Sequence, residues 1–279
     1  MRNSLSQTTN NYAVVLSVGL VGCFLSFYLF STLQNNERLS LEKSFISNAN
    51  DYIAIFSTAL SSDFEDLDAM AAFFYASQHV TREEFSTFTR SLLSSNTGLQ
   101  ALSWNPRVRI NDRAQFEQSD RDEGFSEFQI VERTKQGEMV RAESRDEYYP
   151  VKYIEPFMGN TSAFGFDQAS NPARWQALLQ AGKSAERQAT ERILLVQDPN
   201  NDPAFIVFFP LYQKSSLSIS SEKRQEAIVG FFSAVIIVNN ILDKALDTIA
   251  THGVDIHVFD ISAPEGDQFL AFHSSHLEP

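Results

Sequence analysis

The sequence predicts an α+β fold in which a transmembrane helix and a long stalk helix precede a domain built on an antiparallel sheet. Three observations predict this class. Residues 12–33 are apolar and uncharged, and residues 37–78 hold apolar side chains at helical spacing without Gly or Pro. From residue 99 onward, short apolar segments alternate with turn-forming residues, which is typical of strands.

The N-terminal segment predicts a membrane anchor. No charged residue lies between Arg2 and Glu37, and about 22 mostly apolar residues are enough to cross a hydrocarbon core of roughly 30 Å. A cleavable signal peptide, the alternative, would need a shorter apolar core and a small-residue cleavage site, and neither is present. The charge distribution favours a cytoplasmic N-terminus at residues 1–11, followed by an uncleaved transmembrane helix at residues 12–33.

The stalk helix is expected at residues 34–78. Its apolar residues recur at intervals of seven: Leu39, Ile46, Ile53, Leu60, Leu67 and Phe74. This period is typical of a helix that packs along a seam, either against a second copy of the chain or against its own domain. Thr81 and Glu84 then have the spacing of a capping box, which predicts the start of a second helix.

A sheet domain is expected at residues 79–238. Its strands are predicted at residues 99–104, 125–133, 138–143, 148–154, 163–166, 190–197, 204–212 and 228–238. Asn111 and Asp112 are expected to cap a short helix that runs through Gln118, and Asn171 with Pro172 to start a helix that ends at Gly182. A helix at residues 240–250 and a hairpin at 254–261 and 268–272 are interpreted as the start of a smaller second domain, residues 239–279.

Composition excludes several functions. The net charge of −13 argues against nucleic acid as a partner, because phosphate binding needs a basic face. Cys23, the single cysteine, lies in the apolar segment, so the rest of the chain has no disulfide and no thiolate metal site. We expect no cofactor, no metal and no enzymatic activity, because the sequence lacks a Gly-rich phosphate loop, H-E-x-x-H and G-x-S-x-G. An exported domain without disulfides fits a bacterial periplasm.

Residues 148–196 hold the most informative chemistry. Glu155 could accept hydrogen bonds from a ligand amine or be a solvated strand end, and Thr190 could donate to a ligand or simply suit a strand. Asp167 suits a turn or cap more than a ligand contact, and Arg174 could pair with Asp167 or lie solvated. Side chains expected to line a small-molecule pocket, or to be core, complete the set: Tyr153, Phe166, Leu194, Phe205 and Val207.

The order of several motifs resembles the CHASE sensory domain over about residues 77–272. The motifs are LSWNPRV (102–108), YPVKYIEP (149–156), GFD (165–167), NPAR (171–174), LLVQ (194–197) and FPLY (209–212). The resemblance implies a membrane-distal PAS-like domain, a membrane-proximal PAS-like domain, a second transmembrane helix and a cytoplasmic output domain of a kinase or a cyclic-nucleotide enzyme. It therefore implies a ligand-sensing receptor at the bacterial inner membrane, with its sensor domain in the periplasm and a homodimer formed through the stalk and the distal domain.

The resemblance extends to plant cytokinin receptors, which implies an adenine-like ligand in the distal pocket. The aspartate that holds the ligand in those receptors falls at Glu155 or Pro156 here, where no aspartate stands. The pocket threonine matches Thr190. We therefore expect the pocket to be retained with a different ligand. The alternative is a structural or partner-binding ectodomain without a small-molecule ligand.

Overall fold

The structure is a computed structural model, and it has the mixed α+β architecture that the sequence predicts. It describes residues 2–77, 79–95, 98–193, 195, 203–213, 221–246, 254–261 and 263–274. The chain divides into two compact units, Met1–Ala54 and Ile55–Pro279.

Helix α1 runs from Arg2 to Ala76 and contains both the predicted anchor and the predicted stalk. By length and composition it is the one helix in the described part of the chain that could cross a membrane, and its most apolar window is not buried. The stretch without Gly or Pro explains why the helix does not break before Ala76. Helix α2, Arg82–Ser95, follows with the predicted capping box: the Thr81 amide donates to Glu84 at 2.9 Å, and the Glu84 amide donates to the Thr81 hydroxyl at 3.3 Å.

The Ile55–Pro279 unit is built on a five-stranded antiparallel sheet with strand order β6-β1-β9-β8-β7. The strands are β1 Leu99–Pro106, β6 Tyr153–Glu155, β7 Gln188–Ala189, β8 Ala204–Tyr212 and β9 Ile228–Ile237. The two most apolar segments, β8 and β9, lie inside the sheet, as their continuous hydrophobicity predicts.

Each face of the sheet is covered by helices. On one face, here called the stalk face, Leu67 and Met70 of α1 and Phe85 of α2 pack against the sheet. The opposite face, here called the α4 face, is covered by helix α4, Pro172–Ser184. Strand β8 shows the alternation directly, because Ile206 packs on the α4 face and Val207 packs on the stalk face.

Helix α4 begins where the sequence predicts. The Asn171 side chain accepts a hydrogen bond from the Arg174 amide at 3.1 Å, and Pro172 occupies the first helical turn. The helix continues past Gly182 to Ser184. Helix α3, Arg113–Asp122, departs further from its prediction: it runs beyond Gln118, and the Asp112 side chain makes no capping hydrogen bond.

Short strands and turns occupy the part of the chain between β1 and β6. They are β2 Val108–Arg109, β3 Val131–Arg133, β4 Met139–Arg141 and β5 Glu147–Tyr148. The predicted strand 125–133 was wrong over its first half, because Phe125 and Phe128 lie in a turn and pack against Phe164. The predicted strand 163–166 was also wrong, because Ala163 ends a 3-10 turn, Thr161–Ala163, and Gly165 adopts a positive φ of 81°. The aromatic side chains whose spacing suggested strands, Phe125, Phe128 and Phe164, therefore pack against one another from turns.

Within the described part of the predicted strand 190–197, the prediction was wrong for residues 190–192, which form no strand. Strand β7 contains only Gln188 and Ala189, and Ile193 forms an isolated bridge with Ala204. The last part of that prediction, residue 194 and residues 196–197, lies outside the described residues.

The C-terminal hairpin is confirmed as a two-stranded sheet, β10 Ile256–Phe259 with β11 Phe269–His273. Helix α5, Ser221–Glu226, precedes β9, and helix α6, Val238–Leu246, starts two residues earlier than expected. The hairpin contacts α6, since the Phe272 amide donates to Asn239 at 3.3 Å and His273 lies 3.2 Å from Asp243. Its interpretation as the start of a second domain stays a prediction.

Candidate functional site

A small cavity lies inside the core, between the α4 face of the sheet and the segment that precedes α4. Its volume is about 10 Å³, which corresponds to the space of about one water molecule. Its lining joins three polar side chains to an apolar wall: Ser103, Gln168 and Arg174 with Val151, Ile154, Ala163, Phe166, Leu195, Ile206 and Val235. We call this space the interior cavity.

Arg174 is the unusual member of this lining. It is the third residue of α4 and is 5% exposed, so its guanidinium is removed from water. Nη1 donates to the side-chain oxygen of Gln168 at 2.8 Å, and the guanidinium lies 4.8 Å from the centre of the Phe166 ring. Nε has no hydrogen-bond partner, and none of the described carboxylates forms a salt bridge with Arg174. The suggested pairing of Arg174 with Asp167 is therefore wrong, and so is a solvated Arg174.

The electrostatics of Arg174 follow from its burial. Loss of hydration lowers its pKa to about 10, and the nearby positive charge of Arg133 acts in the same direction. Isolated buried charges are costly, and most buried arginines face a carboxylate. Arg113, the matched example in this domain, donates to Glu117 at 2.9 Å and to the Tyr148 hydroxyl at 3.0 Å.

A chain of buried hydrogen bonds links Arg174 to the centre of the sheet. Gln168 donates to Asn105 at 3.4 Å, and Asn105 donates to the Ser233 hydroxyl at 3.1 Å. The hydroxyls of Ser233 and Ser103 lie 2.6 Å apart. Ser103 and Asn105 lie on β1 and Ser233 lies on β9, in buried positions that are usually apolar. The three polar side chains of the cavity lining therefore belong to a connected polar network.

Asp167 is buried and shapes the segment that precedes α4. Its carboxylate accepts hydrogen bonds from the Tyr149 amide at 2.8 Å and the Ala169 amide at 3.2 Å, and it forms a salt bridge with Arg145 at 3.2 Å. Burial raises the pKa of Asp167, and these three donors oppose that shift. The turn-holding role favoured by the sequence is confirmed.

Glu155 and Tyr153 lie on the other side of the sheet. With Arg82, Arg90 and Phe85 of α2 they line a depression of about 400 Å³ on the stalk face, here called the α2 groove. The Glu155 carboxylate accepts from Arg90 Nε at 3.2 Å, which fills the role that the sequence suggested for a ligand amine. Ligand contact by Glu155 and Tyr153 stays a prediction.

Thr190 and Glu155 do not share a cavity. Thr190 follows β7 at one edge of the sheet and Glu155 ends β6 at the other, so four strand spacings, roughly 19 Å, separate their strands. The Thr190 hydroxyl accepts from the Ile206 amide at 3.0 Å and so extends the edge pairing. Phe205 and Val207 pack on the stalk face, away from Phe166.

The sequence thus predicted one pocket, and the structure distributes its residues over two faces. Of the predicted set, Phe166 lines the interior cavity and Asp167 supports its wall. Leu194 lies outside the described residues. The polar residues Ser103, Asn105 and Ser233 were missed; Ser233 is the one polar side chain in the apolar strand β9, which is a signal that could have identified it.

Metal binding finds no support in the described part of the chain. Among those residues, no group of three or more His, Cys, Asp or Glu side chains is placed to hold a metal ion. His273 pairs with Asp243, and His257 packs against Phe272. His276 lies outside the described residues.

The described part of the chain combines an antiparallel-sheet domain with a helix that is, by length and composition, able to cross a membrane, which is the combination expected of a helix-anchored domain. The particular family follows from sequence comparison. The profile of the CHASE domain matches residues 78–271, and the chain belongs to the CHASE family, whose domains are sensory and not catalytic.

The chain is also similar to a curated protein, hybrid signal transduction histidine kinase A of Dictyostelium discoideum. The two are 19% identical over 274 residues, which cover 95% of this chain and 13% of that kinase. The chain thus spans about one eighth of the length of the relative it matches. The catalytic regions of such a kinase lie in other parts of that protein.

Proposed function

We propose that this chain is the ligand-sensing region of a membrane-anchored signalling receptor and that its ligand binds in the interior cavity. The observation that carries the proposal is the polar network around Arg174, which borders a cavity inside an otherwise apolar core. A buried charge without a counter-charge is costly, so a purely structural core would be expected to lack it. The PAS-like architecture and a site in the periplasm at a bacterial inner membrane belong to the same proposal.

Ligand entry requires the cavity to expand. A space of about 10 Å³ holds about one water molecule, so a larger molecule binds only when a wall moves. The ligand therefore favours an expanded conformation over the closed one, and its difference in affinity for the two sets the size of the signal. Leu195 lines the cavity from the connection between β7 and β8, outside helix α4.

The stalk can receive this change through strand β9. Ser233 belongs to the polar network, and its neighbour Phe232 points to the stalk face, where its ring lies 4.4 Å from that of Phe74 in α1. A shift of β9 at the cavity therefore reaches α1 through one ring contact. We propose that α1 carries this shift towards a cytoplasmic output domain.

A panel of small molecules tests the proposal. The full chain in detergent micelles is heated with amino acids, organic acids or purines, and Trp104 and Trp175 report unfolding by fluorescence. We expect at least one compound to raise the melting temperature of the wild type. Ala163→Leu fills the cavity and should abolish that shift, whereas Ala173→Leu, on α4 outside the lining, should keep it. Absence of any shift, or a shift that survives in Ala163→Leu, contradicts the proposal and favours a structural ectodomain.

We also propose a homodimer along α1. Leu39, Ile46 and Ile53 repeat at seven-residue spacing and are 50%, 51% and 64% exposed in the single chain. Ile46→Asp should shift the full chain in detergent towards monomer in sedimentation experiments. Leu41→Asp is the matched control, because Leu41 is 66% exposed but lies off the seven-residue series. Equal effects of the two substitutions would rule out this seam.

A further inference from the structure

Among the described residues of the Ile55–Pro279 unit, two arginines, Arg113 and Arg174, are almost completely buried, and their surroundings differ. Arg113 is held by the Glu117 carboxylate, the Tyr148 hydroxyl and two backbone carbonyls. Arg174 is held by the neutral side chain of Gln168, and its Nε points to no described acceptor. The difference is one negative charge, which is present beside Arg113 and absent from the described surroundings of Arg174.

The geometry leaves one edge of the Arg174 guanidinium free for that charge. Gln168 uses Nη1, so the edge that carries Nε is not engaged by it. A carboxylate binds such an edge of a guanidinium in a side-by-side arrangement with two parallel hydrogen bonds. Because Arg174 itself lines the interior cavity, a molecule that enters the cavity meets the guanidinium directly.

We propose that the interior cavity binds a small monocarboxylic acid, with its carboxylate on Arg174. This inference rests on the proposed function, because the acid occupies the same cavity. Among the described residues of the lining, Arg174 is the one that carries a charge, which favours a single negative charge over a diacid or a phosphate. None of these described lining residues is a carboxylate that could hold an ammonium group, which disfavours amino acids.

The rest of the lining defines the non-carboxylate end of the ligand. Val151, Ile154, Ile206 and Val235 present aliphatic surface, and among the described lining residues the Ser103 hydroxyl is the remaining polar group besides Gln168 and Arg174. A short aliphatic chain fits this wall without leaving a polar group unsatisfied. Acids of two to four carbon atoms are therefore the probes of choice.

The experiment compares each acid with its neutral isostere. Acetate, propionate and butyrate are titrated into the full chain in detergent at pH 7 and constant ionic strength, with acetamide, propionamide and butyramide beside them. Tryptophan fluorescence and melting temperature are the readouts. We expect at least one acid to bind and its amide to bind at least tenfold more weakly.

Two variants locate the effect. Arg174→Gln removes the buried charge and should weaken acid binding at least tenfold, whereas Arg187→Gln removes an exposed charge, paired with Asp68 at 3.2 Å, and should leave it unchanged. Equal binding of acids and amides overturns the inference, as does an acid affinity unaffected by Arg174→Gln. Equal binding of chloride overturns it too, because the site would then take any small anion.

The outcomes separate this inference from the proposed function. If a neutral compound stabilises the wild type and loses its effect in Ala163→Leu, while the acids have no effect, the carboxylate inference fails and the sensing function stands. If no compound binds, both fail. If Arg174→Gln does not fold, the comparison of acids with amides in the wild type and in Ala163→Leu decides the question.

Discussion

Replacement of Arg174 by methionine tests whether its buried charge lacks a counter-charge. Burial lowers the pKa of Arg174 from 12.5 to about 10, so the charged form in the folded state costs about 3 kcal/mol at neutral pH. A folded-state pKa below the unfolded value means that this cost is absent above pH 12.5 and reaches its full size once the pH falls below about 10. Methionine removes the cost and keeps most of the side-chain volume.

The substitution also removes favourable contacts. The hydrogen bond to Gln168 contributes about 1 to 2 kcal/mol, and the contact with the Phe166 ring about 1 kcal/mol. These losses nearly offset the gain, so the free energy of unfolding of Arg174→Met should lie within about 1 kcal/mol of the wild type. The measurement is urea unfolding of the full chain in detergent at pH 7, followed by tryptophan fluorescence.

Arg113→Met is the matched control. It removes a buried arginine that is paired with Glu117, and it should cost about 3 to 5 kcal/mol because it leaves a buried carboxylate with a weaker set of partners. If Arg174→Met destabilises the chain as much as Arg113→Met does, then a counter-charge compensates Arg174, and the electrostatic reasoning behind the cavity is refuted.

Two further predictions concern a strained turn and a helix start. Gly165→Ala should lower the free energy of unfolding by about 3 kcal/mol or more, because φ is 81° and the new Cβ would lie 2.6 Å from the carbonyl oxygen of Gln129. Gly159→Ala should lower it by about 1 kcal/mol, because φ is 91° but the space around the new Cβ is open. Urea unfolding compares the two, and equal costs would contradict the role of the close contact. The bonds from Thr81 lower the pKa of Glu84, so its stabilising contribution is present above pH 4.5 and is lost as the pH falls through the lowered pKa. The stability difference between wild type and Glu84→Gln should therefore shrink below pH 4.5, and a difference independent of pH would refute the assignment.

Local signals in the sequence predicted local structure well. The capping box at Thr81, the N-cap at Asn171, the uninterrupted helix through residues 37–76 and the apolar strands 204–212 and 228–237 all depend on residues close in sequence. The caps and the helix are stabilised by residues only a few positions away in the sequence. The two strands are apolar over their whole length, which predicts buried strands without knowledge of their neighbours in the sheet. These elements could be predicted because their energetics are short-range.

Irregular segments were predicted less well. The alternation of residues 125–133 looked extended, but the rings of Phe125 and Phe128 pack on Phe164, which is remote in sequence, and this contact favours a turn. Residues 190–197 were predicted as one strand, yet Thr190 pairs with Ile206 through its hydroxyl and only two residues before it pair as β7. Tertiary contacts outweighed propensity in both places.

The sequence by itself determined the class of the protein: an apolar segment long enough to cross a membrane, a long helix, an antiparallel sheet and the ordered motifs of the CHASE family. The tertiary structure decided which residues meet. Strand order places Glu155 and Thr190 at opposite edges, and the alternation of side chains directs Val207 and Ile206 to opposite faces. Pairing between distant strands is not encoded in any short window, so a set of residues that looks like one pocket in sequence divides between two faces in space. Burial of Arg174 beside the interior cavity has the same origin, because the sheet and α4 exclude water from it only after the chain has folded.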